Sequence, residues 1–200
     1  MIEIKVKCVG KGPGLLMNSM TDETLEGLRT GVHETKRRDI PAEEEARLKL
    51  YTDEKWVIGI PVENLSACLC GAGRYVKNGT PPRQISTATT TTLYSLLSIK
   101  EAFLPLSDGN GGQAKWMVDK KRGINTTKNE KKAVCIVRPR FNSWGIEFTL
   151  EIDEKEVSPE TIRQLVEVAG NKIGLCDFRP TRRGPFGRFE IAEWKVNGHK

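Results

Sequence analysis

Residues 144–170 read WGIEFTLEIDEKEVSPETIRQLVEVAG and set a strand, a turn and a helix one after another. Trp144, Ile146, Phe148, Leu150 and Ile152 alternate with small or polar residues, the period of a strand with one buried face. Ser158-Pro159-Glu160-Thr161 then supplies a capping serine and a proline at the first helical position. Ile162, Leu165, Val166 and Ala169 recur at helical spacing up to Gly170. Downstream, Phe189, Ile191 and Trp194 or Val196 read as a last strand.

Working upstream, Ala133 to Arg138 is an apolar run that suits a buried central strand, with Pro139 ending its pairing. Pro61 opens a helix over Val62 to Tyr75, and Ile2 to Val9 alternates as a first strand. The order strand, helix, strand, strand, helix, strand predicts an α+β fold: the ferredoxin-like split βαβ, RRM- or RAMP-like, with both helices on one face of an antiparallel sheet. The other face is then open to RNA-type ligands or to inserted elements. One domain over 1–200 is expected, with helical insertions at about 10–60 and a loop-rich insertion at 77–131 that turns basic toward its end. Within them, Thr21 caps one helix and another follows Pro41. The Thr-rich run Ser86 to Thr92 reads as a loop, and Leu93 to Leu106 fits either strand or helix.

The chain has 200 residues and a net charge of +6, which favours a polyanionic partner. The excess is concentrated in two segments, the first running from Lys115 to Arg140. The second is residues 170–190, GNKIGLCDFRPTRRGPFGRFE, where arginines, phenylalanines and glycines interleave. Arginine forks pair with phosphate oxygens and aromatic faces accept unstacked bases. The expected nucleic-acid ligands are therefore Lys120, Lys121, Arg122, Lys128, Lys131, Lys132, Arg138, Arg140, Arg179, Arg182, Arg183 and Arg188, with Phe186, Phe189 or Trp144 stacking on bases. A competing reading turns these phenylalanines into the core of a long capped turn.

Cys8, Cys68, Cys70, Cys135 and Cys176 are scattered, and no CxxC pair or histidine set accompanies them, so neither a metal nor another cofactor is expected. No apolar run spans a bilayer, and the first residues read as a strand, not a signal peptide, so the expected location is cytoplasmic, without a membrane partner.

The segment Gly12 to Asn18, GPGLLMN, together with G-x-x-x-G-L-x-D-F-R-P from Gly170 and GRFEI from Gly187, resembles a group of small prophage and mobile-element proteins of mostly undefined function. The layout, a split βαβ with a glycine-rich loop before the last strand, is similar to the RAMP proteins. Their members include the backbone subunits that coat guide RNA in CRISPR effector complexes. The resemblance implies a non-catalytic protein that binds single-stranded DNA or RNA and forms a homo-oligomer or filament along it, with phage or CRISPR-type protein partners. Its biological setting would be phage recombination or replication, or guide-RNA coating. A second reading is a RAMP-type endoribonuclease using His33 as general base. A third is a protein-directed inhibitor or assembly factor that presents the acidic insertion Thr21 to Leu50.

Overall fold

The computed structural model describes residues 1–32, 40–126 and 131–197. Its strands and helices in chain order are β1 (Ile2–Lys11), β2 (Leu15–Leu16), α1 (Asp22–Thr30), α2 (Ala42–Arg47), β3 (Gly59–Pro61), α3 (Val62–Ala72), β4 (Lys77–Asn78), β5 (Arg83–Gln84), α4 (Leu93–Leu96), β6 (Leu97–Ile99), β7 (Phe103–Pro105), β8 (Trp116–Thr126), β9 (Lys131–Phe141), β10 (Gly145–Ile152), α5 (Pro159–Val168) and β11 (Arg188–Asn197).

The main sheet has four strands in the order β11-β1-β10-β6, every neighbouring pair antiparallel. This is the split βαβ arrangement: β1-α3-β6 and β10-α5-β11 each skip over a strand of the other unit. Alternation drives it. Ile2, Ile4, Val6 and Cys8 of β1 and Ile146, Phe148, Leu150 and Ile152 of β10 are buried in one core with Leu65 and Leu69 of α3 and Ile162, Leu165 and Val166 of α5. Ser158 caps α5 by accepting from the Thr161 amide at 3.2 Å.

The third element of the predicted order falls elsewhere. Leu97–Ile99, not Ala133–Arg138, fills the edge position beside β10, with Ile99 opposite Leu150 and Leu97 opposite Ile152. Ala133–Arg138 instead lies in a two-stranded ribbon in which β8 pairs with β9 from Trp116↔Phe141 to Thr126↔Lys131. Ala133 and Cys135 are exposed there, and only toward the base of the ribbon, at Val137, does burial begin. An apolar β-branched run favours strand geometry whether or not anything covers it. Nor does Pro139 end the pairing, since it sits opposite Val118 and β9 continues to Phe141. Its carbonyl accepts from the Met17 amide at 3.2 Å, on the β2 side. A residue's nitrogen and oxygen point the same way in a strand, so the missing N–H costs the β8 ladder nothing. Residues 123–126 and 131, expected in the basic end of the loop-rich insertion, belong to the same ribbon.

Candidate nucleic-acid interface

The arginine-rich loop is closed by its own backbone. After α5 the chain makes a wide turn, Ala169–Ile173, and leaves it at Gly174 with φ +77°. Leu175 donates to the Gly187 carbonyl at 2.8 Å, Phe186 to Phe178 at 3.2 Å and Gly184 to Arg179 at 3.0 Å. Cys176, Phe178 and Arg183 hold left-handed φ of +58°, +50° and +59°, an unfavourable region for residues with a Cβ. The loop is also tied to the segment that follows β1: Gly187 donates to Gly14 at 2.9 Å and Asp177 to Leu16 at 2.9 Å. The segment Gly12 to Asn18 and the motif that begins at Gly170, far apart in sequence, therefore touch.

The base of the β8–β9 ribbon joins this unit. β2 pairs with β9 through Leu15↔Phe141 and Leu16↔Arg140. Arg138 Nε donates to Asp177 Oδ2 at 2.8 Å, and Arg140 Nε donates to the Pro13 carbonyl at 3.1 Å. Asp119 stands 3.1 Å from Lys121 Nζ and 3.7 Å from the Arg140 guanidinium. The Lys121 ammonium sits 3.8 Å from the centroid of the Phe186 ring, a cation–π contact. Just past α2, Lys49 Nζ donates to the Val137 carbonyl at 2.8 Å and pairs with Glu45 of that helix, bracing the ribbon from a second element.

The expected ligand residues thus separate by environment. Lys120, Arg122, Lys131, Arg182, Arg183 and Arg188 are exposed and have no acidic partner among the described residues. Lys132 is exposed as well. Lys121, Arg138, Arg140 and Arg179 are half-buried and engaged inside the protein, Arg179 through the Cys176 carbonyl and the Thr181 hydroxyl. Strand alternation explains the split on β8, where Lys120 and Arg122 face away from the side that carries Asp119 and Lys121. Lys128 lies outside the described residues, as does His33.

The aromatic residues require a correction. Phe189 is 0% exposed and meets buried Trp144 edge-on at 6.3 Å, while Phe186 is 5% exposed beneath Lys121. None of these rings has a free face for a base. The loop's exposed aromatic is Phe178, 43% exposed, with its centroid 6.2 Å from that of Phe186. Asp177, which ties ribbon to loop, enters the sequence reading only within the D-F-R-P motif, and Asp119, which pairs with Lys121 and Arg140 inside the ribbon, has no role in it. Alternation along β8 puts Asp119 on the Lys121 face, the one available signal.

The open face of the main sheet has a different character. Lys7 lies 3.6 Å from Glu147 and 3.8 Å from Glu193, Lys100 pairs with Glu3 and is 3.2 Å from Glu151, and Lys195 is 2.6 Å from Glu193. Its basic side chains are largely neutralised by neighbouring carboxylates, which would repel phosphate. Exposed cations without acidic partners among the described residues lie instead on the ribbon and the arginine loop.

Burial pushes the Cys8, Cys68 and Cys176 thiols up to about 12, so at neutral pH they are uncharged packing groups. Among the described residues no His, Cys, Asp and Glu side chains cluster as metal ligands, and no helix is long and apolar enough to cross a membrane.

No protein-family model matches the chain, and no curated protein matches it. Among solved structures it is similar to a chain of "Cryo-EM structure of the Type III-B Cmr-beta bound to cognate target RNA", with a TM-score of 0.56 at 12% identity. The match covers 98% of this chain and 60% of that one, so this protein spans less than two thirds of its neighbour's length. The likeness is one of fold.

Proposed function

We propose that this protein is a non-catalytic subunit that binds single-stranded nucleic acid, RNA in the first place, and assembles with further copies or other proteins along the strand. One observation carries the reading. Exposed cations without acidic partners gather on the β8–β9 ribbon and the arginine loop, whereas those of the open sheet face are largely paired. Unpaired arginines and lysines on a braced scaffold exchange counterions for phosphates at little cost in reorganisation. The fold likeness to a chain of an RNA-bound assembly supports RNA as the partner. The test is fluorescence anisotropy with labelled single-stranded RNA, single-stranded DNA and duplex across a salt series. Binding to a single strand should weaken with salt, and Arg182→Ala/Arg183→Ala/Arg188→Ala should flatten the log-log slope by about 2, at roughly 0.7 per lost contact. A slope unchanged in the triple variant would remove the loop from the interface.

A protein-directed assembly role is favoured by a separate observation: Leu25 and Leu28, three residues apart on α1, are 50% and 58% exposed. Protein association that survives nuclease treatment and high salt would support that role.

A further inference from the structure

Beside the arginine loop lies a cleft of about 360 Å³ lined by Asn18, Tyr51, Asn64, Asp177, Phe178 and Arg182, among others. We infer that this cleft receives one unstacked base of a bound strand and selects it by its hydrogen-bonding edge, with adenine preferred. The inference rests on the strand-binding reading and adds base selectivity to it.

Size is the first argument. Ligand pockets run from about 300 to 1,000 Å³, so this one suits a single nucleotide and not an extended ligand. Phe178 supplies the stacking face. It is 43% exposed and held at φ +50°, and its carbonyl accepts from the Phe186 amide at 3.2 Å. Gly184 makes room for it, since a Cβ there would fall 1.8 Å from the Phe178 carbonyl oxygen and 2.6 Å from the ring Cγ. A ring fixed before binding stacks on a base with little further ordering.

Polar groups complete the cleft. The exposed Asn18 amide has no hydrogen-bond partner among the described residues and offers a donor and an acceptor side by side. Adenine presents the complementary donor and acceptor on two edges, N6–H with N1 and N6–H with N7, where cytosine and uracil present it on one edge only. Tyr51 donates its hydroxyl to the Asn18 carbonyl at 3.3 Å, fixing the segment that presents the amide, and Asn64 from the first turn of α3 stands beside that hydroxyl. Both Asp177 oxygens are engaged, Oδ2 by Arg138 and Oδ1 by the Phe178 amide, so its charge is spent within the protein. Arg182, exposed and without an acidic partner among the described residues, is available to the phosphate of the same nucleotide.

The experiment measures anisotropy at one salt concentration with adenine, cytosine and uracil or thymine homopolymers of equal length, as RNA and as DNA. Wild type should bind adenine strands about tenfold more tightly than the others, the scale of one bidentate base contact. Asn18→Leu should bring the affinities together without changing the salt slope, and Phe178→Ala should weaken all of them about tenfold. Equal, salt-dependent affinity of wild type for every homopolymer would overturn the base-selective cleft while leaving strand binding intact. An adenine preference that persists in Asn18→Leu would overturn it too. Absence of binding to any strand would bring down both readings.

Discussion

The amide of Gly187 donates to the carbonyl of Gly14 at 2.9 Å, making one unit of the turn that leaves β1 and the loop that enters β11. Gly187 has φ +71°, and a Cβ on it would lie 2.0 Å from the Leu175 carbonyl oxygen. Gly31, which ends α1, has nearly the same φ, +74°, but nothing within 4 Å of its Cβ position. The pair separates backbone preference from close approach. Gly31→Ala should cost only the left-handed penalty, about 1 kcal/mol. Gly187→Ala adds a backbone clash and should cost about 3 kcal/mol or more. Urea denaturation of both variants reads the difference, and equal midpoints would mean that the loop relaxes freely.

Arg138 and Asp177 form the ion pair that joins ribbon to loop, beside the Lys121–Phe186 contact, with side chains 18% and 33% exposed. Removing either partner strands the other in a partly dry site. Urea titrations of Arg138→Met, Asp177→Asn and the double variant should give a coupling energy of about 1 kcal/mol, with the double variant little worse than the poorer single. Additive losses would show that the two segments are held mainly by β2–β9 pairing.

Most of the fold is legible in the sequence because alternation marks β1 and β10, and Ser158-Pro159 marks the start of α5. The misread strand has a physical cause. Leu97–Ile99 is three residues long and follows a single helical turn, so it shows no period, whereas Ala133–Val137 has the composition of a buried strand without the cover. The candidate site is legible in the sequence as segments that the fold brings together, not residue by residue. The basic stretches are in place, but which cations point outward depends on strand register, and whether Phe178 or Phe189 shows a face depends on left-handed turns that composition does not reveal.

That register yields a prediction for β8. Lys121 faces inward onto Phe186, while Lys120 and Arg122 face the other way. Lys120→Ala/Arg122→Ala should flatten the salt dependence of strand binding by about 1.4, two contacts at roughly 0.7 each. Lys121→Met should leave the slope unchanged and lower stability by about 1 kcal/mol or less through the lost cation–π contact. A reversal of these effects would place the strand on the opposite face of the ribbon.

The cysteines divide in the same manner. Cys135 is exposed, Cys70 is half-buried, and Cys8, Cys68 and Cys176 are buried. The folded state raises these last thiols from 9.0 to about 12, so folding favours their protonated form. Their contribution to stability is complete below pH 9 and is lost as pH rises toward 12, each thiol withdrawing up to about 1.4 kcal/mol per pH unit in that window. An aromatic disulfide reagent at pH 8 should label Cys135 quickly, Cys70 more slowly and the others only after unfolding. Labelling of Cys176 in the folded protein would show that the loop opens.

Phe178 and Phe189 close the same loop to opposite ends. Phe189 is fully buried against Trp144, and a Cβ on Gly170 would fall 2.8 Å from its ring Cδ2, so the ring packs against the turn that follows α5. Phe189→Ala should cost about 3–5 kcal/mol by leaving a cavity, with binding lost only as the protein unfolds. Phe178→Ala removes a half-exposed ring and should cost about 1 kcal/mol or less in stability, while weakening strand binding by about 1–3 kcal/mol if a base stacks there. Thermal melts and anisotropy on both variants test this together. Loss of binding in a folded Phe189→Ala, or full binding in Phe178→Ala, would assign the stacking face to a different residue.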